Sequence, residues 1–429
     1  NMTRYYSIRN CAEWGIIMSK RRRIINSIDN PQIGVYVHIM IPRRAEQTIQ
    51  KLCQGFPVIT VTGPRQSGKT TLVQSMFPDR PYASLENPDI LDFATQDPRG
   101  FLDAYPDGAV FDEAQRCPEL FSYLQERVDQ DSRMGRFILT GSQQFGLIGN
   151  ITQSLAGRTA IVHLMPFTFK ERYSRQSAKA MPALDDILYT GLYPPVHDRD
   201  LDPRSWYDSY IETYVERDVR QLINVRDLNT FRRFVRLCAG RTGQILNLSD
   251  LAADAGITHN TAKSWISVLE ASFLIFLLPP HFRNFNKRLI KSPKLYFYDT
   301  GLCTRLLAVR NPEQLNTHPL RGALFECLII SEVIKSRRHA GISEPIYYWR
   351  DRSGNEIDLL IDRGQTLQPI EIKSGATLNR DFFKGLQKWL NLAGDTAKDP
   401  TLIYGGTQSL VRSGIRVIPW PKTSQEVLD

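Results

Sequence analysis

The run Val58-Ile59-Thr60-Val61-Thr62-Gly63-Pro64-Arg65-Gln66-Ser67-Gly68-Lys69-Thr70-Thr71-Leu72 carries the most specific chemistry in this 429-residue chain. An apolar, β-branched strand leads into G-x-x-x-x-G-K-T, the spelling of a phosphate-binding loop, and a helix follows. Gly63 and Gly68 let the backbone curl around Pro64, Arg65, Gln66 and Ser67, so that N–H groups turn inward toward phosphate oxygens. The start of the helix, through Thr71, adds its partial positive charge. Lys69 is placed to reach the β- and γ-phosphates, and the Thr70 hydroxyl to ligate Mg²⁺.

A second set lies about forty residues on. Gly108-Ala109-Val110-Phe111-Asp112-Glu113 reads as a buried strand that delivers two acids to the edge of a sheet. Asp112 is expected to support Mg²⁺ and Glu113 to polarise the attacking water. The next strand, Arg136-Phe137-Ile138-Leu139-Thr140-Gly141-Ser142, ends in two hydroxyls. Thr140 and Ser142 are candidates to sense the γ-phosphate or the water, or they are plain turn residues.

The third set is C-terminal. Asp358 on one expected strand and Glu371-Ile372-Lys373 on the next can share a face, because side chains two apart in a strand point the same way. Asp358 and Glu371 are then candidate ligands for a divalent metal, and Lys373 a candidate to orient or deprotonate water. The set is similar to the D…E-x-K core of restriction-endonuclease-like nucleases, where a helix glutamate such as Glu326 often joins. This chain departs from that pattern in having Ile357, not proline, before Asp358.

These groups need elements to hold them. Strands and helices alternate through 45–170: Val58–Thr62, Gly68–Phe77, Tyr82–Glu86, Asp89–Thr95, Gly108–Glu113, Pro118–Asp129, Arg136–Ser142 and Thr159–Leu164. That is the pattern of a mostly parallel sheet covered on both faces. Residues 171–205 are polar and turn-rich, and read as a linker or lid. Residues 206–317 read as mainly helical, beginning with a helix over Trp206–Asn224. In that stretch Leu248–Ala255, Gly256 and Thr258–Leu269 spell helix, glycine turn, helix, and Ser272–Leu278 with Lys294–Tyr298 could form wing strands. If that unit reads nucleic acid, His259, Asn260, Lys263 and Ser264 are the residues that would face it. Residues 318–429 read as a last α/β unit. It has a helix over Leu324–Ser336, strands over Pro345–Arg350, Glu356–Ile361, Leu367–Ile372, Thr401–Tyr404 and Ile415–Ile418, and a helix over Phe382–Leu390.

Composition sets the outer limits. Hydrophobic content of 42% and charged content of 23% fit folded domains, and 429 residues suggest two or three of them. The longest apolar run, Phe273–Leu278, is far short of a membrane span. Six scattered cysteines and seven scattered histidines form no metal-ligand spacing, and the thiols are expected to be reduced, as in the cytoplasm. Residues 1–44 hold eight basic groups against two acids, so they account for most of the net charge of +9. That segment is expected to be a poorly ordered extension, with Met18 and Met40 as candidate starts, or a basic arm centred on Lys20-Arg21-Arg22-Arg23.

With Asp-Glu-Ala-Gln at 112–115, Leu-Thr-Gly-Ser at 139–142 and Leu-Ala-Gly-Arg at 155–158, the chain resembles the AAA-like P-loop ATPases of bacteria and archaea that carry a C-terminal domain of unknown function. Tyr214-Val215-Glu216-Arg217-Asp218-Val219 and Tyr298-Asp299-Thr300-Gly301-Leu302 share in the resemblance, which covers roughly residues 40–425. It implies an α/β chain with three parts: an AAA-type P-loop parallel sheet, a helical, winged-helix-like middle, and a restriction-endonuclease-like end. It also implies that Arg158 contacts the γ-phosphate of its own or a neighbouring subunit, within a homo-oligomer. The expected activity is Mg²⁺-dependent ATP hydrolysis, gating a nuclease that acts on DNA or RNA. The rival is a nucleotide-dependent switch or adaptor for a protein partner, with an inactive nuclease-like docking unit.

Overall fold

The computed structural model describes residues 41–142, 154–173, 181–199, 201–219, 227–282, 291–343 and 345–426; for 216–219 and 426 only the backbone is described. The basic arm, its candidate start residues and the stretch after Ser142 lie outside these residues. Ile41–Asp429 forms one compact unit.

Helix α1 (Ala45–Leu52) precedes strand β1 (Val58–Thr62), which runs into the loop and helix α2 (Lys69–Met76). Strands β2 (Tyr82–Ser84), β3 (Val110–Asp112), β4 (Phe137–Gly141) and β5 (Thr159–His163) complete a parallel sheet of order β2-β3-β4-β1-β5. All five residues of β1 are buried, as expected of a central strand with parallel neighbours on both sides. Its side chains alternate between two cores. Val58 joins Phe101, Phe111 and Phe137 on one face, and Ile59 and Val61 join Leu72, Val73 and Val162 on the other. Because the strands are parallel, the loop after β1 and the residues ending β3 and β4 emerge on one edge. That common edge positions the nucleotide-site candidates.

Residues expected as a linker or lid are built into the core instead. Short helices span Leu184–Thr190, Pro194–Asp198 and Pro203–Tyr210, and Leu188, Leu192, Tyr193 and Tyr207 are buried. The reason is a buried carboxylate that polarity counts cannot reveal. Asp299 accepts hydrogen bonds from Leu192 N at 2.7 Å and the Tyr207 hydroxyl at 2.6 Å while capping the helix Thr300–Leu306. Gly191 is required there: at φ +63° it packs so tightly that a Cβ would meet Asp299 and Tyr207. The helix expected over Trp206–Asn224 changes to a π-helix over Ile211–Val219, and its remainder lies outside the described residues.

In the middle region, helices α3 (Leu248–Ala255) and α4 (His259–Ala271) meet at Gly256, which is left-handed. Thr258 caps α4 by accepting from Thr261 N at 3.1 Å. Trp265 packs edge-on against Phe231 and Phe234, while His259, Asn260, Lys263 and Ser264 are exposed. Strands β6 (Gln244–Ile245), β7 (Ile275–Leu278) and β8 (Lys294–Phe297) form a small antiparallel sheet beside these helices.

The 19-residue helix α5 (Arg321–His339) opens the last region and is buried along most of its length. The sheet that follows contains β9 (Ile346–Arg350), β10 (Glu356–Asp362), β11 (Leu367–Lys373), β12 (Thr401–Tyr404), β13 (Leu410–Arg412) and β14 (Ile415–Pro419). Its order is β13-β14-β12-β11-β10-β9. The register of β9 against β10 shifts between Ile357 and Leu360, so Asp358 sits at an irregularity of the ladder. One hydrophobic core extends from Met165 through the middle helices and α5 to Trp420, so these regions are not separate beads. Among the described residues no helix is long and apolar enough to cross a membrane, and Cys53, Cys117, Cys238, Cys303 and Cys327 are free thiols.

Candidate nucleotide site and C-terminal acid cluster

The loop conformation rests on its glycines. Gly63 approaches Leu164 so closely that a Cβ would lie 2.1 Å from the carbonyl oxygen, and Gly68 takes φ +90° to start α2. Lys69 Nζ, nearly fully buried, donates to the carbonyls of Gly63 at 3.0 Å and Pro64 at 2.9 Å. Burial lowers its pKa to about 8 even though Glu113 and Asp112 pull the other way. Ser67 is fully buried, and its hydroxyl has no partner among the described residues. Arg65 lies over the Tyr214 ring, Gln66 takes a left-handed φ of 64°, and Thr71 is exposed.

The structure brings the two halves of the expected site together. Thr70 Oγ1 donates to Asp112 at 3.1 Å, Tyr82 donates its hydroxyl at 2.6 Å, and Thr140 Oγ1 donates to the same carboxylate. Glu113 sits in a left-handed conformation at φ 53°, a strained choice for a non-glycine residue. Its carboxylate accepts from Ser142 Oγ at 3.0 Å and from Gln115, and its N–H donates to Thr140 Oγ1 at 3.3 Å. Thr140 and Ser142 therefore hold the acids.

Arg158 is placed elsewhere. It precedes β5, and its carbonyl accepts from Val58 N at the start of β1, the sheet edge opposite the loop. Its guanidinium pairs with Asp129 at 2.6 and 2.8 Å. Strand direction thus puts Arg158 at the end of the sheet away from the loop that carries Lys69 and Thr70.

Arg43, which the sequence placed in a basic extension, is a buried part of the loop's support. It donates to the Ser67 carbonyl at 2.8 Å and the Met165 carbonyl, and its Nε lies 3.3 Å from Glu171. Glu171 in turn lies 3.1 Å from His339 Nδ1 at the end of α5, and Met165 N donates to His339 Nε2. Burial opposes the charge on Glu171, but Arg43, His339 and the Thr168 N–H together hold it well below the ordinary carboxylate range. Only the pairing of a charged residue just before α1 with a lone acid in 165–175 could have signalled this, and spacing alone does not.

At the other sheet, Asp358, Glu371 and Lys373 do converge. Lys373 Nζ is 2.5 Å from Glu371 Oε1 and 3.6 Å from Asp358 Oδ2, which also accepts from Ile372 N at 2.8 Å. Burial and the nearby Asp358 push Glu371 up to about 8. Glu326 and Glu356 complete a group with Asp358 whose carboxylate oxygens lie within 4.8 Å of one another. Burial, then Asp358, pushes Glu326 up to about 7. A lysine missed in the sequence lies among them: Lys294 Nζ contacts Glu326 at 2.8 Å and Glu356 more closely still.

A strand–loop–helix turn with this carboxylate and these hydroxyls on one parallel-sheet edge defines a P-loop ATPase of the AAA type. Family models agree: an AAA domain matches residues 55–173, and domains of unknown function DUF8612 and DUF4143 match residues 181–313 and 321–423. The chain is 31% identical over 356 residues to the uncharacterized proteins Rv2008c of Mycobacterium tuberculosis and Mb2031c of Mycobacterium bovis, covering 82% of this chain and 78% of each relative. It belongs to this family of AAA-type P-loop ATPases with C-terminal domains of unknown function. Among solved structures, the Walker-type ATPase of Pyrococcus abyssi is similar at a TM-score of 0.43 and 14% identity, covering 62% of this chain and 96% of that one. AMPPCP-bound DnaA from Aquifex aeolicus is similar at a TM-score of 0.28 and 14% identity, covering 53% and 85%.

Proposed function

We propose that the chain binds ATP with Mg²⁺ and hydrolyses it. The observation that carries this reading is the joining of Thr70 to Asp112 beside a loop whose buried Ser67 hydroxyl lacks a partner among the described residues. A cradle of this kind fits a triphosphate and its metal. Thr70 would ligate Mg²⁺ and Asp112 would support it; when bound, the ion neutralises charge on the β- and γ-phosphates. Lys69 exchanges its two loop carbonyls for phosphate oxygens. Glu113, steered by Ser142 and Gln115, accepts the proton of the attacking water. Lys69→Ala is expected to abolish binding of a fluorescent ATP analogue. Glu113→Gln is expected to bind normally while turnover falls by about 10²–10⁴. Steady hydrolysis by Glu113→Gln removes Glu113 from this role, and failure of the wild type to bind ATP sinks the reading.

For the C-terminal unit we favour the nucleotide-dependent switch or adaptor over the nuclease. Asp358, Glu371 and Lys373 have the arrangement a nuclease would use, but Lys294 weighs against metal in their midst. The exposed face of α4 offers Lys263 as its basic group among the four candidates, a thin basis for binding phosphate backbone. Cleavage of DNA or RNA by the wild type with Mg²⁺ or Mn²⁺ would reverse this choice.

A further inference from the structure

The C-terminal cluster gathers Glu326, Glu356 and Asp358, a grouping of carboxylates that could hold a divalent ion, with Glu371 beside them. Here protein cations serve each of them. Lys373 spans Asp358 and Glu371, Lys294 spans Glu326 and Glu356, and Arg350 reaches Glu356 at 2.9 Å. Four acids thus face three bases.

Lys294 is not a surface chain folded over the site. It lies on β8, with 3% of its side chain exposed, in register with Leu278 on one side and Ile245 on the other. Its ammonium sits 5.5 Å from the centre of the Tyr348 ring, and the Tyr348 hydroxyl donates to Ser292 two residues earlier. The backbone seam continues next to it: Tyr348 N donates to Pro279 O at 3.0 Å, and His281 N to Tyr348 O at 2.7 Å. Tyr296, two residues along β8, donates its hydroxyl to Glu326 at 2.5 Å. These bonds fix the strand that carries Lys294 against β9 and α5.

We propose that Lys294 is the resident cation of this cluster, its ammonium filling the place a divalent ion would take among Glu326, Glu356 and Asp358. The cluster is then a buried ion-pair lock joining the middle region to the C-terminal sheet, and not a metal site. A divalent ion and the ammonium would compete for the same oxygens and repel each other at contact distance. This rests on the switch or adaptor reading of the C-terminal unit and gives that unit a mechanical tie to the middle region.

Mn²⁺ binding followed by electron paramagnetic resonance in nucleotide-free full-length protein tests it. Wild type and Glu326→Gln are expected to bind Mn²⁺ equally, since neither uses the cluster. A Mn²⁺ site present in wild type and lost in Glu326→Gln overturns the proposal, with or without K294M data. Lys294→Met is expected to gain about one Mn²⁺ per chain, and Mn²⁺ is expected to restore the melting temperature lost in metal-free buffer. Lys294→Met that folds and gains no Mn²⁺ also overturns it. Nucleic-acid cleavage by the wild type would instead sink the adaptor reading, so the two failures are distinguishable.

Discussion

Arg43 Nε and Glu171 Oε1 lie 3.3 Å apart, both almost fully buried, while the same guanidinium donates at 2.8 Å to the Ser67 carbonyl in the phosphate loop. Arg43 therefore ties the loop to an acid that is also held by His339, the last residue of α5. Thirteen residues earlier α5 carries Glu326 of the acid cluster, about 20 Å away at helical rise. One buried helix thus contributes Glu326 to the acid cluster and is linked to the loop through His339, Glu171 and Arg43.

Arg43→Ala leaves Glu171 buried with half its support gone. The expected cost is about 3–5 kcal/mol of stability, the range for breaking a buried pair, read by denaturant unfolding. Affinity for a fluorescent ATP analogue is expected to fall as the Ser67 carbonyl loses its anchor. Unchanged stability and affinity together would show that the contact does no positioning.

The same triad makes the protein acid-sensitive in two stages. Burial, outweighing Glu171, pushes the His339 pKa below its ordinary value, so below about pH 6.5 the unfolded chain binds a proton the folded one resists. Stability should therefore fall as pH drops through about 6.5. Glu171 is held low, so its contribution is complete above about pH 4.5 and is lost as pH falls further, toward its folded value. Chemical denaturation from pH 8 down to about pH 2 checks this. His339→Gln is expected to flatten the upper stage and to shrink the lower one, which Arg43 still supports.

Lys69 gives a slope of the same sign at alkaline pH. Its pKa is lowered to about 8, so between about pH 8 and 10.5 the unfolded chain holds more protons and stability should rise with pH. Nucleotide needs the ammonium, so ATP affinity should fall as pH rises past about 8, by up to about tenfold per unit. Titration calorimetry in buffers of different ionisation enthalpy should show proton uptake on binding at pH 8 to 9. Affinity that stays flat to pH 10 would mean that Lys69 remains charged in the free protein.

Much of this site was legible because strand β1, its glycines and the acids ending β3 are local signals. Burial on both faces goes with a Val58–Thr62 strand that is β-branched throughout, and Gly63 is demanded by the approach of Leu164. Asp358, Glu371 and Lys373 were legible for the same reason, since strand period places them. What escaped were contacts made across long separations. Arg43 reads as one more basic residue until Glu171 and His339 meet it, and Lys294 reads as a surface wing residue until Glu326 and Glu356 close on it. The turn-rich stretch around Gly191 read as a linker because the partner that buries it, Asp299, lies more than a hundred residues away.

Arg158 shows how direction decides a role. A parallel sheet presents the C-terminal ends of its strands on the phosphate side, and Arg158 precedes β5, so about five strand residues at roughly 3.3 Å each separate it from that side. Its pair with Asp129 lies at the surface, where water and salt screen the attraction and little stability is gained. Arg158→Ala is therefore expected to leave stability and ATP affinity within error of wild type. Turnover per chain measured across a wide range of protein concentration then separates the remaining roles. Wild-type turnover that rises with concentration, and an Arg158→Ala variant that does not follow it, would mean that the arginine completes the site of a neighbouring copy. Equal turnover at every concentration would leave Arg158 as a surface ion pair, and lost ATP affinity in dilute protein would contradict the sheet-edge argument itself.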